Sequence, residues 1–532
     1  MIPAIDAWRV ALGADKVDDS SATIDRYART TLPSATRPCC VLYPTCTEEV
    51  QAVVRVAAEH HAVVYPISRG RNWGYGDACA PTDGAAIVDL GRMDRILEVN
   101  SELAYTVIEP GVTQGQLNRY LKDNRTGLWM DCTGAGCGAS IAGNTLDRGF
   151  GHTRYGDHVQ TTCGMEIVLA DGRVLNTGFG HYANAKAGRV YGYGIGPSLD
   201  GLFCQSNLGI VTKIGLWLMP EPEAFSFFFA RLERDEDIAP FVDRMRPLRL
   251  AGIVQSAVHI GNDYRIFSSR GQYPFDETNG ATPLPQSVRE RLRKRYGLGA
   301  WNVAGALTGT RAHVRASKRA VKRALQGLGG VRFVSDKQLD LAGRVFGALS
   351  TFGIARETTR FIASAKPVLA AAMGVPSDLP VRGTYWRLRA EPPAEVLDPI
   401  AAGAGLMWAS PVLPMRGEDV TRVMRIAEPI FAKHGFEPMA TLTLLNDRAL
   451  IAVLNVYFDK GVPDEAAQAA ACHGELIDAL AKDGYYPYRA GLDTMPKMVG
   501  EGDVFWDVAG AIKDALDPHD IIARGRYLPP RQ

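Results

Sequence analysis

Three glycines fall within eleven residues, at 70, 74 and 76 of the stretch PISRGRNWGYG, and the β-rich run AVVYP leads straight into them. A chain that turns this sharply after a strand uses glycine, because no Cβ blocks positive φ or close approach to a bound group. Successive N–H groups in such a turn form a nest that suits phosphate, and Arg69 and Arg71 add positive charge. No G-x-G-x-x-G opens a helix after a first strand, so a regular dinucleotide-binding βαβ series is not expected.

At 532 residues the chain exceeds what one ordinary core organises, so two large domains are expected. The net charge of +1 sets up no field that would recruit nucleic acid or an acidic membrane. The basic runs SVRERLRKRYG and RAHVRASKRAVKRALQGLG read as solvated helix faces. No apolar run approaches the ~20 residues of a spanning helix. The first residues, MIPAIDAWRVALGADKVDD, lack a basic n-region, and the nine scattered cysteines fit reduced thiols. A cytoplasmic location follows, with a periplasmic one left open. There is no C-x-x-C, H-E-x-x-H or C-x-x-C-H, so neither a metal site nor an attached haem is expected on this chain.

Residues 40–220 alternate short β-rich runs with glycine turns and a few helices. CVLYP, AVVYPI, AAIVDL, RILEV and YTVIEPG read as strands. TEEVQAVVRVAAEH reads as a helix opening at Thr47 with two acids in its first turn, and VTQGQLNRYLKDN as another. MEIVLADGRVLNT reads as a hairpin turning at Asp171–Gly172. After Pro220 and Pro222 strands mix with basic helices. From residue 417 the pattern sharpens into a helix, a strand pair over ATLTLLNDRALIAVLNVYFD, a second helix and a C-terminal helix.

Taken in order, the glycine loop, AAIVDLGRMDRILEVN, AYTVIEPGVTQGQLNRYL, GNTLDRGFGHTRYGDHVQTTCGMEIVLADGRVLNTGFG and DGLFCQSNLGIVTKIGLWLMP resemble the FAD-binding domain of the vanillyl-alcohol oxidase / para-cresol methylhydroxylase family. The resemblance implies an α+β, two-domain FAD-linked oxidase fold. Residues 1–222 and 484–532 would form the FAD-binding domain, and residues 223–483 an antiparallel-sheet cap. It also implies FAD-dependent oxidation of a para-substituted phenol. Arg69, Gly70, Arg71, Asn72, Gly74 and Gly76 would wrap the diphosphate. Gly138, Ser140, Gly143 and Asn144 in GASIAGN would form a second cradle, with Ile210 a further cofactor contact.

An alkylphenol resists hydride loss from its para carbon until the ring carries negative charge, and a free phenol has a pKa of ~10. A site for phenolate therefore supplies donors and positive charge at the oxygen. The family resemblance assigns Tyr75 and Tyr488 as donors, and Arg489 and Arg526 as the charge. Asp157 in RYGDHV falls where the family has an acid close to flavin N5, with His152 and His158 beside it. Glu395 falls near a glutamate that would activate water. The implied course is hydride transfer from the side-chain α carbon to flavin N5, a quinone methide, and then alcohol, carbonyl or alkene product. The electron acceptor would be O2 or a cytochrome c on another chain, and the assembly a homodimer.

The chain departs from the family where many members attach FAD covalently. Gly405 or Leu406 stands at the histidine position, and Asp398 near the tyrosine position, so dissociable FAD is expected. Thr441 and Leu450 replace polar or charged groups, which would suit a bulkier, lignin-type phenol. Two alternatives stay open. One is a flavin enzyme of the same fold acting on a non-phenolic alcohol, hydroxy acid or lactone, and the other is a flavin-binding electron-transfer subunit with no substrate of its own.

Overall fold

The structure, a computed structural model, describes residues 2–335, 368–392, 397–500 and 502–528. Cys40–Leu42, Ala86–Asp89 and Val64–Ile67 form a parallel sheet, and Val17–Asp18 adds an antiparallel edge. The helix Thr47–Glu59 crosses between the first and third of these parallel strands. It carries Glu48 and Glu49 in its first turn and buries Val50, Val53, Val54 and Ala57 on one face. Ile522, near the C-terminus, bridges in parallel to Val64, so the tail returns to this first sheet. The glycine loop leaves the C-terminal end of Val64–Ile67, where parallel sheets open their ligand crevices.

A second sheet is antiparallel, in the order Ile96–Asn100, Tyr105–Ile108, Ile210–Trp217, Thr162–Val168, Val174–Asn176. Its last hairpin differs by one residue from the sequence expectation. Gly172 N–H closes on Leu169 O at 2.9 Å, and Leu169 N–H reaches Arg173 O. The loop is thus three residues long with Gly172 left-handed at φ +82°, rather than a two-residue Asp-Gly turn.

The third sheet is the largest. It runs antiparallel as Val331–Val334, Ala224–Leu232, Trp301–Gly309, Val258–Asn262, Met439–Leu444, Ala449–Asp459 and Ala404–Ala409, with Val412–Pro414 beside Ala449–Asp459. Side chains alternate across a strand. Val258, Ile260, Leu442, Leu444, Ala452, Leu454 and Val456 therefore enter a core shared with the helices Ile238–Leu250, Gly417–Lys433 and Pro463–Lys482. The opposite face presents Trp408, Asn455, Val453, Thr441, Thr443 and His259 to a cavity. Leu450 belongs to the core face, so it does not shape the cavity as the sequence suggested; Thr441 does. The antiparallel third sheet and the mixed helix-and-sheet first half agree with the expected α+β fold. Among the described residues no helix is long and apolar enough to cross a membrane.

Candidate active site

One continuous cavity of about 1750 Å³ lies between the glycine loop and the open face of the large sheet. At one end its wall is mostly backbone. The amides of Gly70, Arg71 and Asn72 have no hydrogen-bond partner among the described residues, and Gly70 is left-handed at φ +61°. Facing them are Ala139, Ser140, Gly143, Asn144 and Ile210. Ser140 caps the helix Ile141–Leu146: its Oγ accepts from Gly143 N–H at 2.9 Å and donates to Pro110 O at 2.6 Å. Gly138 sits just behind this wall, where a Cβ would fall 2.6 Å from the Arg71 guanidinium. Arg71 pairs with no carboxylate among the described residues. Free N–H donors plus one unpaired guanidinium are what a diphosphate requires, so these residues fit FAD.

Four predicted cofactor contacts, Arg69, Asn72, Gly74 and Gly76, have side chains or positions engaged elsewhere in the fold. The Arg69 guanidinium turns away, donating to Gly111 O at 2.7 Å and pairing with Asp94 at 3.3 Å. The Asn72 side chain donates to Asp147 at 3.3 Å and accepts from Arg489 Nη2, so its side-chain amide, unlike its backbone N–H, is committed to those two residues. Gly74 and Gly76 are packing glycines. At Gly74, φ is +77° and a Cβ would lie 2.2 Å from Trp408, while at Gly76 it would lie 2.6 Å from Leu492. Both let the loop press against the large sheet and the 484–492 segment, which holds Tyr75 in place.

The other end gathers side chains that are far apart in sequence. Tyr75 is buried, with its OH 3.2 Å from Ser410 Oγ and the Arg489 guanidinium 4.3 Å from its ring centroid. Tyr488 follows the helix Pro463–Lys482. Its N–H donates to Ser410 O, and its ring meets Phe150 edge-on at 5.4 Å. Arg489 Nη2 donates to Asp147 Oδ2 at 2.6 Å, and its buried Nε has no partner. Arg526 Nη2 lies 3.4 Å from both oxygens of Asp147, and Tyr527 OH donates to Oδ1 at 2.7 Å.

The electrostatics follow from this geometry. Burial opposes ionisation of Asp147, but Arg489 and Arg526 outweigh it and hold the carboxyl at about 2. Burial likewise opposes charge on Arg489, and Asp147 with the neighbouring tyrosines holds that guanidinium above its ordinary value. Two arginines against one aspartate leave one net positive charge beside two tyrosine hydroxyls. Burial keeps the Tyr75 hydroxyl protonated by raising it well above the ordinary value. The cluster therefore donates hydrogen bonds and attracts an anionic oxygen.

Tyr75, Tyr488, Arg489 and Arg526 are thus brought together, and Asp157 is not. Its carboxylate accepts from Gln160 at the surface at 2.7 Å, outside the cavity wall. Burial raises its carboxyl, yet nothing in the cavity reaches it. Asp147, ten residues earlier in the same motif, is the carboxylate in the cluster. Glu395 lies outside the described residues.

Sequence reasoning missed Asp147, Ser410 and Tyr527, whose roles depend on partners hundreds of residues away. It also missed Asp131, a buried carboxylate after the apolar run GLWM. Asp131 Oδ2 lies 2.7 Å from His158 Nε2, and Oδ1 accepts the N–H groups of His152 and Thr153. His158 Nδ1 in turn lies 2.7 Å from Asn144 Oδ1.

Comparison with known proteins finds FAD-linked relatives along the whole chain. The FAD binding domain family matches residues 38–178. The 1'-carboxy-chondrochloren decarboxylase of Chondromyces crocatus is 36% identical over 98% of this chain and 96% of its own. The 4-cresol dehydrogenase [hydroxylating] flavoprotein subunit of Pseudomonas putida is 34% identical, over 98% and 94% respectively. The crystal structure of p-cresol methylhydroxylase with substrate bound superposes with a TM-score of 0.88, at 32% identity, over 99% of this chain and 97% of that one.

Proposed function

The chain belongs to the vanillyl-alcohol oxidase / para-cresol methylhydroxylase family of FAD-dependent oxidoreductases, and from that premise we propose that it oxidises a para-substituted phenol at the side-chain α carbon through a quinone methide. The observation that carries this reading is the meeting of Tyr75, Tyr488 and Arg489 at one end of the cavity. Bound FAD would supply the hydride acceptor. The amides of residues 70–72, Arg71 and the Ser140–Asn144 wall would hold it, without a covalent bond.

The residues of the chain do the rest. The phenol oxygen sits against the Tyr75 and Tyr488 hydroxyls, with Arg489 supplying charge that favours phenolate. Donors fixed before the substrate arrives need no reorganisation when charge develops, which is why they accelerate the step. Arg526 and Asp147 fix Arg489 from behind. As hydride leaves the α carbon, the ring becomes a neutral methide and the phenolate's charge is consumed. Trp408, Phe150 and Val453 form an apolar wall that keeps bulk water from this step. The electrons pass on to O2 or to a cytochrome c on another chain, and two copies of the chain form a homodimer.

The test is anaerobic mixing with 4-alkylphenols and with their O-methyl ethers, followed by flavin absorbance. Bleaching by phenols alone supports the reading. Equal bleaching by the ethers, or bleaching by hydroxy acids or lactones instead, would favour the non-phenolic alternative.

A second outcome is favoured by the identity to a relative named as a decarboxylase. If the carbon next to the methide carries a carboxylate, the electrons of its C–CO2 bond can restore the phenolate as CO2 leaves, giving an alkene.

A further inference from the structure

Water addition to a quinone methide releases a proton, and the carboxylates of the cavity are badly placed to take it. Asp147 is held by Arg489, Arg526, Tyr527 and Asn72. Asp77 accepts from Thr30 and Thr31 at the back of the glycine loop, and Glu233, just past the strand Ala224–Leu232, is paired with Arg231. The geometry points to His152 as the catalytic base for this step, a role that rests on the phenol reading above.

His152 lines the cavity two residues beyond Phe150, whose ring meets Tyr488. Its ring nitrogens have no hydrogen-bond partner among the described residues. On the far side its ring packs on His259, with centroids 4.3 Å apart. His259 is anchored to the large sheet by Thr443, with Nδ1 3.1 Å from Oγ1. The segment carrying His152 is tied to Asp131 through its own N–H at 3.1 Å. A Cβ at Gly151 would lie 1.8 Å from Asp131, so only glycine allows this approach.

The titratable groups facing the imidazole are Asp131, His158 and His259. Burial lowers its proton affinity, so it stands neutral and ready to accept, while the negative charge of Asp131 favours the imidazolium once formed. The step balances as follows. The water oxygen bonds to the methide carbon, and the exocyclic C=C electrons return to the ring. The carbonyl oxygen becomes phenolate again, and the water proton moves to the His152 ring nitrogen. Loss of CO2 from a carboxylated methide needs no such base.

The test is an anaerobic single turnover of the flavin-loaded protein with 4-ethylphenol, following flavin bleaching and methide decay separately. In His152→Gln, bleaching stays within about threefold of wild type, since it precedes water addition. Methide decay slows by about 100-fold, and its slowing at acid pH disappears. Unchanged decay with an unchanged pH profile overturns the assignment. If the wild type does not bleach with phenols, the phenol reading falls and this assignment falls with it. If His152→Gln loses its flavin, His152→Asn is used. A measurement independent of turnover is 13C-histidine NMR of the flavin-loaded protein. The His152 imidazole is expected to be neutral at about pH 7.5 and to titrate lower in Asp131→Asn, and an imidazole charged at that pH overturns the assignment.

Discussion

Asp147→Asn tests the electrostatic account of the site most directly. The wild-type carboxylate accepts from Arg489 at 2.6 Å, Tyr527 at 2.7 Å, Asn72 at 3.3 Å and Arg526 at 3.4 Å. An asparagine keeps the shape but turns an N–H2 toward the guanidinium groups and removes their counter-charge. Two magnitudes can be compared. Lowering the carboxyl from 3.8 to about 2 corresponds to about 2.5 kcal/mol of preference for the ionised form in the folded protein. Removing one partner of a buried pair costs about 3–5 kcal/mol, because the other charge is left without compensation. The Asp147 side chain keeps 19% exposure, toward the cavity, where water screens part of the charge. The expected loss is therefore about 2–4 kcal/mol at neutral pH.

The sign of the pH effect is fixed by the direction of the shift. The folded-state carboxyl is depressed, so its stabilisation is complete above about pH 4 and vanishes as pH falls through about 2. Wild type loses this increment on acidification, and Asp147→Asn has none to lose. The assay is urea unfolding of the flavin-loaded protein, read by tryptophan fluorescence and flavin release, at about pH 7 and about pH 3. A variant within about 1 kcal/mol of wild type at neutral pH, or one with the wild-type acid response, would show that Arg489 and Arg526 do not depend on Asp147.

Tyr488→Phe should lower kcat/KM for phenols by about 10²–10³, the usual cost of one preorganised donor, with unfolding little changed; equal activity of the variant would remove Tyr488 from the phenolate site. Gly74→Ala combines a positive φ with a Cβ 2.2 Å from Trp408, so a loss of about 3 kcal/mol or more in urea is expected, together with weakened flavin retention. Asp77 is raised to about 6 by burial, which outweighs its bonds from Thr30 and Thr31, so the folded state holds its proton longer and stability declines as pH rises from about 4 through about 6. Asp77→Asn should therefore stabilise the protein by about 1–3 kcal/mol at about pH 8 and change little near pH 4, as read by urea midpoints. Acid precipitation should release the yellow colour. Colour that stays with the pellet would mean a covalent flavin, with buried Tyr385, clustered with Leu406, the first residue to examine.

Which parts of the site could be read from the chain depends on whether their meaning is local. Gly70, Ser140 and Gly143 act through their own backbone turns, so short motifs carry them. Tyr75, Tyr488, Arg489 and Arg526 were legible only because each sits in a family string; nothing in GYG or YPYRAG by itself says that these residues meet. Asp147 had no such mark. It follows a short helix, where an aspartate reads as a helix end, and its partners Arg489 and Arg526 lie 342 and 379 residues further on. Asp157 was the more conspicuous acid in the same motif, but the turn that carries it points its carboxylate at Gln160. Gly74 and Gly76 carry the complementary lesson. In the sequence they belong to a phosphate loop, and in the fold they are the positions where Trp408 and Leu492, from the large sheet and the 484–492 segment, close on that loop. A glycine signals that something comes close, and only tertiary structure identifies what. The local motif therefore specifies a cavity wall, while the distant partners decide which end of the cavity carries charge.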